Sequence, residues 1–467
     1  MKKRIVLALA VLTLCGCVLG PNYKRPQVEL PGEFRGAPAP GADFSVSIAD
    51  TKWQDLFPDQ ILNQMVTTAL KQNFDLRIAA ERVEEARAQL GITRANQYPN
   101  LQGQAGFTAT RPSSAGANTF VPSGSNLSSS YTSLGAALSW ELDIWGRLKR
   151  QTEAARARYL ASEEGRRAVG VSLVSDVMEA YFQLLEQDLE LEISRKTQGI
   201  AKDSLNLVQL RRQRGAASGL DVSQAEQLLY TAGVQIAAAE RAIAQSEDLL
   251  SLLQGAVPAG QARGRKLEAI PIPAQLPPGL PAALLERRPD IREAEQNLVA
   301  ANAEIGAARA LYFPQLSLSA FAGGQSRGLS NVITGPARVY TVAPSALQTI
   351  FDAGQIRSNV RFTQAQKREL LVAYQKSIYS ALREVADALA AFDRLREQRT
   401  QEESLAHTLE ETVRLSELRY RGGLDSYLQV LDAQRNLFAV QLTLAQVRLQ
   451  ERVSVVQLYR ALGGGWS

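Results

Sequence analysis

The chain has 467 residues, of which 45% are apolar and 21% charged, with a formal net charge of +5. That balance excludes a disordered chain, and the length is too great for one ordinary soluble domain unless the molecule is elongated or repetitive. His407 is the only histidine, and both cysteines, Cys15 and Cys17, precede the body of the chain, so a histidine-based triad, a His-rich metal site, a disulfide framework and a cysteine-ligated zinc site are all disfavoured.

The N-terminus places Lys2, Lys3 and Arg4 before an apolar run from Ile5 to Leu14. This is a secretory signal, residues 1–16, too short to span a bilayer as a helix. It closes on Leu14-Cys15-Gly16-Cys17, which resembles a bacterial lipobox and implies cleavage before Cys17 and acylation of that cysteine. Loss of the signal leaves 49 basic residues (52 less Lys2, Lys3 and Arg4) against 47 acidic ones, a balance of +2. The basic surplus therefore owes much to the signal, and nucleic-acid binding is not indicated. Residues 17–57 are Pro-rich and read as an extended, lipidated segment on the surface. Beyond the signal no run of 18 apolar residues occurs, so a mature chain that crosses a membrane must do so with strands.

The body of the chain is written twice. Residues 75–101 and 290–316 align without a gap, with ten identities in 27 positions, among them Asp75/Asp290, Gly91/Gly306, Arg94/Arg309 and Pro99/Pro314. Further on, Gly146/Gly354, Arg211/Arg419, Gly215/Gly423, Leu220/Leu428 and Gly255/Gly463 keep one register, with seven extra residues in the first copy. Repeats in register over this length define the domain plan. The first copy spans 58–255 and the second 281–467, with a Pro-rich linker at 256–280.

Each copy has the same expected elements. A helix (about 60–97 and 281–312) stops before Pro99 or Pro314, because proline disfavours α geometry in the residue before it. Two strands follow, at about 101–111 and 130–142, then at about 316–323 and 339–351. A helix with almost no Gly or Pro follows (147–213 and 355–421), roughly 100 Å long at 1.5 Å per residue. After a Gly turn, a last helix ends near Gly255 or Gly463. The shorter helices of a copy could stack end to end beside the long one, giving four columns per chain.

The strand segments alternate. Leu134, Ala136, Leu138, Trp140 and Leu142 share one face, and Ser133, Gly135, Ala137, Ser139 and Glu141 the other. Such segments fit a transmembrane barrel with a wet lumen, and a soluble hairpin as the plainer alternative. Four strands cannot close a barrel, and open edges in lipid leave backbone groups unpaired. A membrane role therefore requires several chains; eight, twelve or sixteen strands satisfy the arithmetic.

The segments "WELDIWGRLKR", "PGLPAALLERRPDIREAEQNLVAANAEIGAARALYFPQLSL", "RYRGGLDSYLQVLDAQRNLF" and "LYRALGGGW", together with the lipobox, resemble the TolC-type outer-membrane factors, in the lipoprotein branch serving resistance–nodulation–division efflux pumps. The resemblance covers nearly the whole mature chain. It implies a mainly α fold with membrane β: a trimer whose 12-stranded outer-membrane β-barrel is continuous with a long periplasmic α-helical barrel. It also implies a periplasmic adaptor and an inner-membrane transporter as partners, and a passive export duct without catalysis or cofactor.

The repeat's turns are Gly215-Ala216-Ala217-Ser218 and Gly422-Gly423-Leu424-Asp425-Ser426. Gly215 and Gly423 suit a left-handed C-cap, Ser218 and Ser426 an N-cap, and Asp221 and Gln429 the reciprocal place in a capping box. Asp432 lies too deep to cap. It shares a polar stripe with Gln429 and Asn436, while Leu428, Leu431 and Leu437 fall elsewhere. The resemblance places Asp432 at a periplasmic constriction, Arg419 and Tyr420 among contacts that keep the tip closed, and Asp221 as either cap or gate. It makes Gly215, Ala216, Ala217, Ser218, Gly422, Gly423, Leu424 and Asp425 the adaptor-contact turns. Glu402, Glu403, Glu410 and Glu411 read as a solvated helix face and His407 as exposed. Arg421-Gly422-Gly423 is a single copy between helices, unlike a nucleic-acid RGG segment. A lipoprotein scaffold of coiled coils without a pore is the main competing function. An enzyme is a distant third, since no nucleophile–base pair or phosphate loop is found.

Overall fold

The computed structural model describes residues 18–36, 47–111, 128–273 and 276–464. Cys17 and most of the expected loop between the first two strands lie outside them. The elements run α1 (Gln60–Gln72), α2 (Phe74–Ala95), β1 (Asn100–Thr110), β2 (Ser129–Leu142), α3 (Arg147–Gln213) and α4 (Gly219–Leu253). The second copy runs α5 (Pro289–Ala310), β3 (Gln315–Ser326), β4 (Arg338–Leu347), α6 (Gln355–Arg421) and α7 (Tyr427–Ala461). The chain forms two compact units, one of residues 18–26, 83–161 and 294–373 and one of 27–82, 162–293 and 374–464 within the described range.

The first unit carries the sheet. Its strands form an antiparallel meander in the order β1-β2-β3-β4. Among the described residues β1 and β4 each have one neighbour, so both edges of the sheet are open there. The register fixes the strand ends. Leu347 pairs with Gln315, the first residue of β3, so β4 stops there rather than near 351. Thr132 pairs with Ser326, which carries β3 past the expected end at 323. Beside the sheet, α3 and α5 meet through Ala154, Ala157, Ala300 and Ala303, whose small side chains allow close approach. Trp145 stacks on Phe313 at 4.8 Å, and its Nε1 donates to the Pro314 carbonyl. The segment after residue 17 is firmly held. Arg150, almost fully buried, donates to the Leu19 and Gly20 carbonyls and to Asn22 Oδ1, and Arg25 binds Glu295 with both nitrogens of its fork.

The second unit holds the larger apolar core, with Phe57, Val177, Met178, Tyr181, Phe182 and Leu184 inaccessible to solvent. An apolar stretch of α3 long enough to cross a membrane is mostly buried within the fold. Asp59 is a node of this unit. Its Oδ1 accepts from the Ile61 and Leu62 amides, capping α1, and its Oδ2 accepts from Tyr181 and the Arg265 amide. The first helix of each copy is interrupted. Asn73 caps α2 through the Leu76 amide while its Nδ2 donates to the Leu253 carbonyl. In the second copy Pro289 begins α5, a position where its missing N–H costs nothing.

Candidate functional site

The Gly turns both lie in the second unit. α3 ends with Gly215 at φ 77°, and α6 with Gly423 at φ 73°, a conformation that glycine enters without a Cβ clash. The bonds around them repeat. The Ala216 amide donates to the Arg211 carbonyl at 2.8 Å and Leu424 to Arg419 at 2.9 Å, while Gly215 and Gly423 donate to Arg212 and Tyr420 at 3.0 Å. These use the last-turn carbonyls that a helix end leaves without partners.

The restarts differ. In the first copy the Asp221 amide donates to Ser218 Oγ, and the Asp221 carboxylate accepts from the Ser218 amide at 2.7 Å and hydroxyl at 2.9 Å, a complete capping box. In the second copy Ser426 makes no side-chain cap bond, contrary to the sequence expectation. There the neighbouring Asp425 is drawn back instead, gripped by Arg419 through Nε and Nη2. The guanidinium holds the Asp425 carboxyl below the usual carboxylate range.

Behind the turns is a compact core that includes Leu205, Val208, Val222, Leu228, Tyr420, Tyr427, Val430 and Phe438. Tyr420 and Tyr427 meet edge-on with centroids 5.5 Å apart, and burial pushes the Tyr427 phenol up to about 12. A cavity of about 800 Å³ adjoins them, lined in part by Ile200, Leu207, Val413, Tyr420, Tyr427 and Phe438. Arg211 had no role assigned from sequence. It donates from Nη1 to the Tyr420 carbonyl and from Nη2 to that of Arg421, both at 3.0 Å, and its Cζ lies 4.3 Å from the Tyr420 ring centroid. The signal that could have found it is its repeat partner, Arg419.

Asp432 is exposed on α7, and its Oδ2 accepts from Asn436 Nδ2 at 3.3 Å. Gln429 is exposed near it, while Leu431 is buried. Leu428 does not fall elsewhere: it is 50% exposed, one turn before Asp432 on the same side. His407 is exposed. Glu403 is not simply solvated, because Arg399 and Arg448 both bind it and hold its carboxyl low.

The model of the outer membrane efflux protein family matches residues 65–256 and 280–464. The chain belongs to this family. Among its efflux-family relatives is the probable efflux pump outer membrane protein TtgC of Pseudomonas putida, 37% identical over 100% of this chain and 96% of the relative. The probable outer membrane lipoprotein SilC of Salmonella typhimurium is 35% identical over 100% of this chain and 99% of its own length. In three dimensions the efflux-protein fold matches the open-state MtrE outer membrane channel of Neisseria gonorrhoeae with a TM-score of 0.85 and 30% identity, over 97% of this chain and 99% of that one. The mainly helical chain with one small sheet is thus the fold of an outer-membrane efflux channel.

Proposed function

We propose that this outer membrane efflux protein is the exit duct of a tripartite pump, a passive channel without catalysis or cofactor. The observation that carries it is the four-stranded sheet with both edges open, in a chain whose long helices end in tight Gly turns. In lipid those edges must be paired, and three copies joining β4 to β1 give a closed barrel of twelve strands. Cys17, acylated, anchors the chain to outer-membrane lipid as the lipoprotein name of one relative suggests. The turns at Gly215–Ser218 and Gly422–Asp425 are the docking points of a periplasmic adaptor, which links the duct to an inner-membrane resistance–nodulation–division transporter.

At the tip, three Asp432 carboxylates form an acidic ring that favours cations and resists closure unless neutralised. Arg419 and Tyr420 support this gate from the turn and the core. Asp221 contributes through its cap, since both partners of its carboxylate lie in its own turn. Planar-bilayer recording on the lipidated trimer tests the reading. Stepwise, cation-selective openings are expected, with selectivity reduced in Asp432→Ala. A heat-sensitive trimer that never conducts would point instead to a scaffold.

A further inference from the structure

In the second unit, α6, α7 and the Pro-rich linker line a cavity of about 360 Å³ whose walls are mostly charged. Its carboxylates are all engaged. Glu403 accepts from Arg399 and Arg448, Glu451 from Arg399 Nε at 2.9 Å, and Glu268 of the linker from Arg448. Arg452 is different. It is only 4% exposed, and its Nη1 and Nη2 donate to main chain, the Arg448 carbonyl at 2.8 Å and the Ile270 carbonyl at 3.1 Å. Its Nε–H is buried and has no hydrogen-bond partner among the described residues. With Arg396 at the exposed edge, four guanidinium groups line the cavity against three carboxylates, which leaves one positive charge in surplus. Burial, opposed by Glu451 and reinforced by Arg448 and Arg399, brings the Arg452 guanidinium down to about 10, so it stays charged at neutral pH but at a cost. A water molecule satisfies the Nε–H and leaves that charge unmatched.

The repeat indicates that a helix in this place does not need the group. The first copy has Ala244 where the second has Arg452, and Glu240 and Ile243 where the second has Arg448 and Glu451. There the linker's own arginine, Arg263, is matched by two carboxylates, Asp188 and Glu247. We propose that the second-copy cavity is a binding site for a small oxyanion, phosphate or a carboxylate, held by the Nε–H of Arg452 and by the guanidinium of Arg396. Guanidinium groups bind such oxygens through short, charge-assisted hydrogen bonds, and the anion supplies the negative charge that the lining lacks. Because Arg452 also holds the Ile270 carbonyl, an anion that settles its charge steadies the linker against α7.

Calorimetric titration of inorganic phosphate, and separately of acetate, into the lipidated, full-length protein tests this, with ionic strength held constant by chloride. Saturable binding of one anion per chain is expected for at least one of the two, and which of them binds tells phosphate recognition from carboxylate recognition. Arg452→Met, which removes the charge but keeps a long side chain, is expected to abolish the binding in a protein that still assembles. Arg396→Gln changes an exposed residue and is expected to weaken binding several-fold. Arg394→Gln, two residues away and outside the lining, is expected to leave it unchanged. Absence of saturable binding of both anions to the wild type overturns the site. Wild-type affinity in an assembled Arg452→Met protein overturns it too, and should that variant not assemble, wild-type affinity in Arg396→Gln does so.

Discussion

Arg419 binds the carboxylate of Asp425, six residues on, through two nitrogens of its fork, and this pair braces the second-copy turn. Arg419 holds the Asp425 carboxyl below its ordinary value. A depressed carboxyl contributes stability above its unfolded pKa, near 3.9, and loses it as pH falls through the lower folded value. The turn should therefore keep this brace from about pH 5 upward and lose it only in stronger acid. Amide hydrogen exchange over 422–426 should be unchanged between about pH 8 and about pH 5, apart from the intrinsic rate, and Asp425→Asn should accelerate it throughout that range. The pair is exposed, so salt should mimic part of the substitution. A wild-type turn that already loosens near pH 6 would contradict this account.

The two helix restarts predict an asymmetry. Ser218 caps α4 with its hydroxyl and Ser426 makes no such bond to α7. Ser218→Ala should cost about 1 kcal/mol of local stability, the usual loss for a cap. Ser426→Ala should cost only a few tenths on the same scale. Exchange of the first-turn amides of α4 and α7 reads both, and equal losses at the two serines would count against the difference. Channel selectivity should survive Ser218→Ala.

The repeat, the long helices and the Gly turns were legible because each rests on local spacing. Proline before a strand, glycine after a helix and a serine three residues before an acid act within a few bonds of themselves. The capping box at Asp221 belongs to this class. What the pattern could not supply was pairing between distant segments. Arg211 meets Tyr420 across 209 residues, and the repeat partner Arg419 marks the position without naming that contact. Glu403 reads as surface until Arg448, 45 residues on, is folded against it. Strand ends were misjudged for the same reason: β4 stops where β3 begins, and register belongs to the pair. Asn73 lay inside a continuous helical pattern, and its break depends on Leu253, far along the chain.

Glu186, buried on α3, gives a prediction of opposite sign to Asp425. Burial, aided by Glu190 one turn on, pushes its carboxyl up to about 8. Glu190 faces Gln446 of α7 and Gln235 of α4 at hydrogen-bond range, so no cation in those contacts offsets it. The folded chain then retains a proton that the unfolded chain releases near the ordinary value of 4.5. Stability from this site is greatest below that value and declines as pH rises through about 8. Glu186→Gln removes the ionisation while keeping the shape. Its thermal midpoint should fall less steeply than that of the wild type across this range and exceed it in alkali. Parallel pH profiles for the two proteins would remove Glu186 as the cause.

The sheet makes the sharpest steric prediction. Gly135 of β2 lies opposite Gly323 of β3. A Cβ at Gly135 would sit 2.5 Å from the Ala322 carbonyl oxygen and 2.8 Å from the Gly323 Cα, both main-chain atoms that cannot move aside without parting the strands. The converse holds at Gly323, where a Cβ would meet the Leu134 carbonyl oxygen at 2.3 Å. Gly103 of β1, by contrast, has open space around its missing side chain. Gly135→Val should therefore separate β2 from β3, leave more edges unpaired in the bilayer and abolish the heat-sensitive trimer band. Gly103→Val adds a residue that favours strands and should assemble as the wild type does. β2–β3 is also the join between the two copies of the repeat, so a trimer that tolerates Gly135→Val would mean that the barrel closes through a different register there.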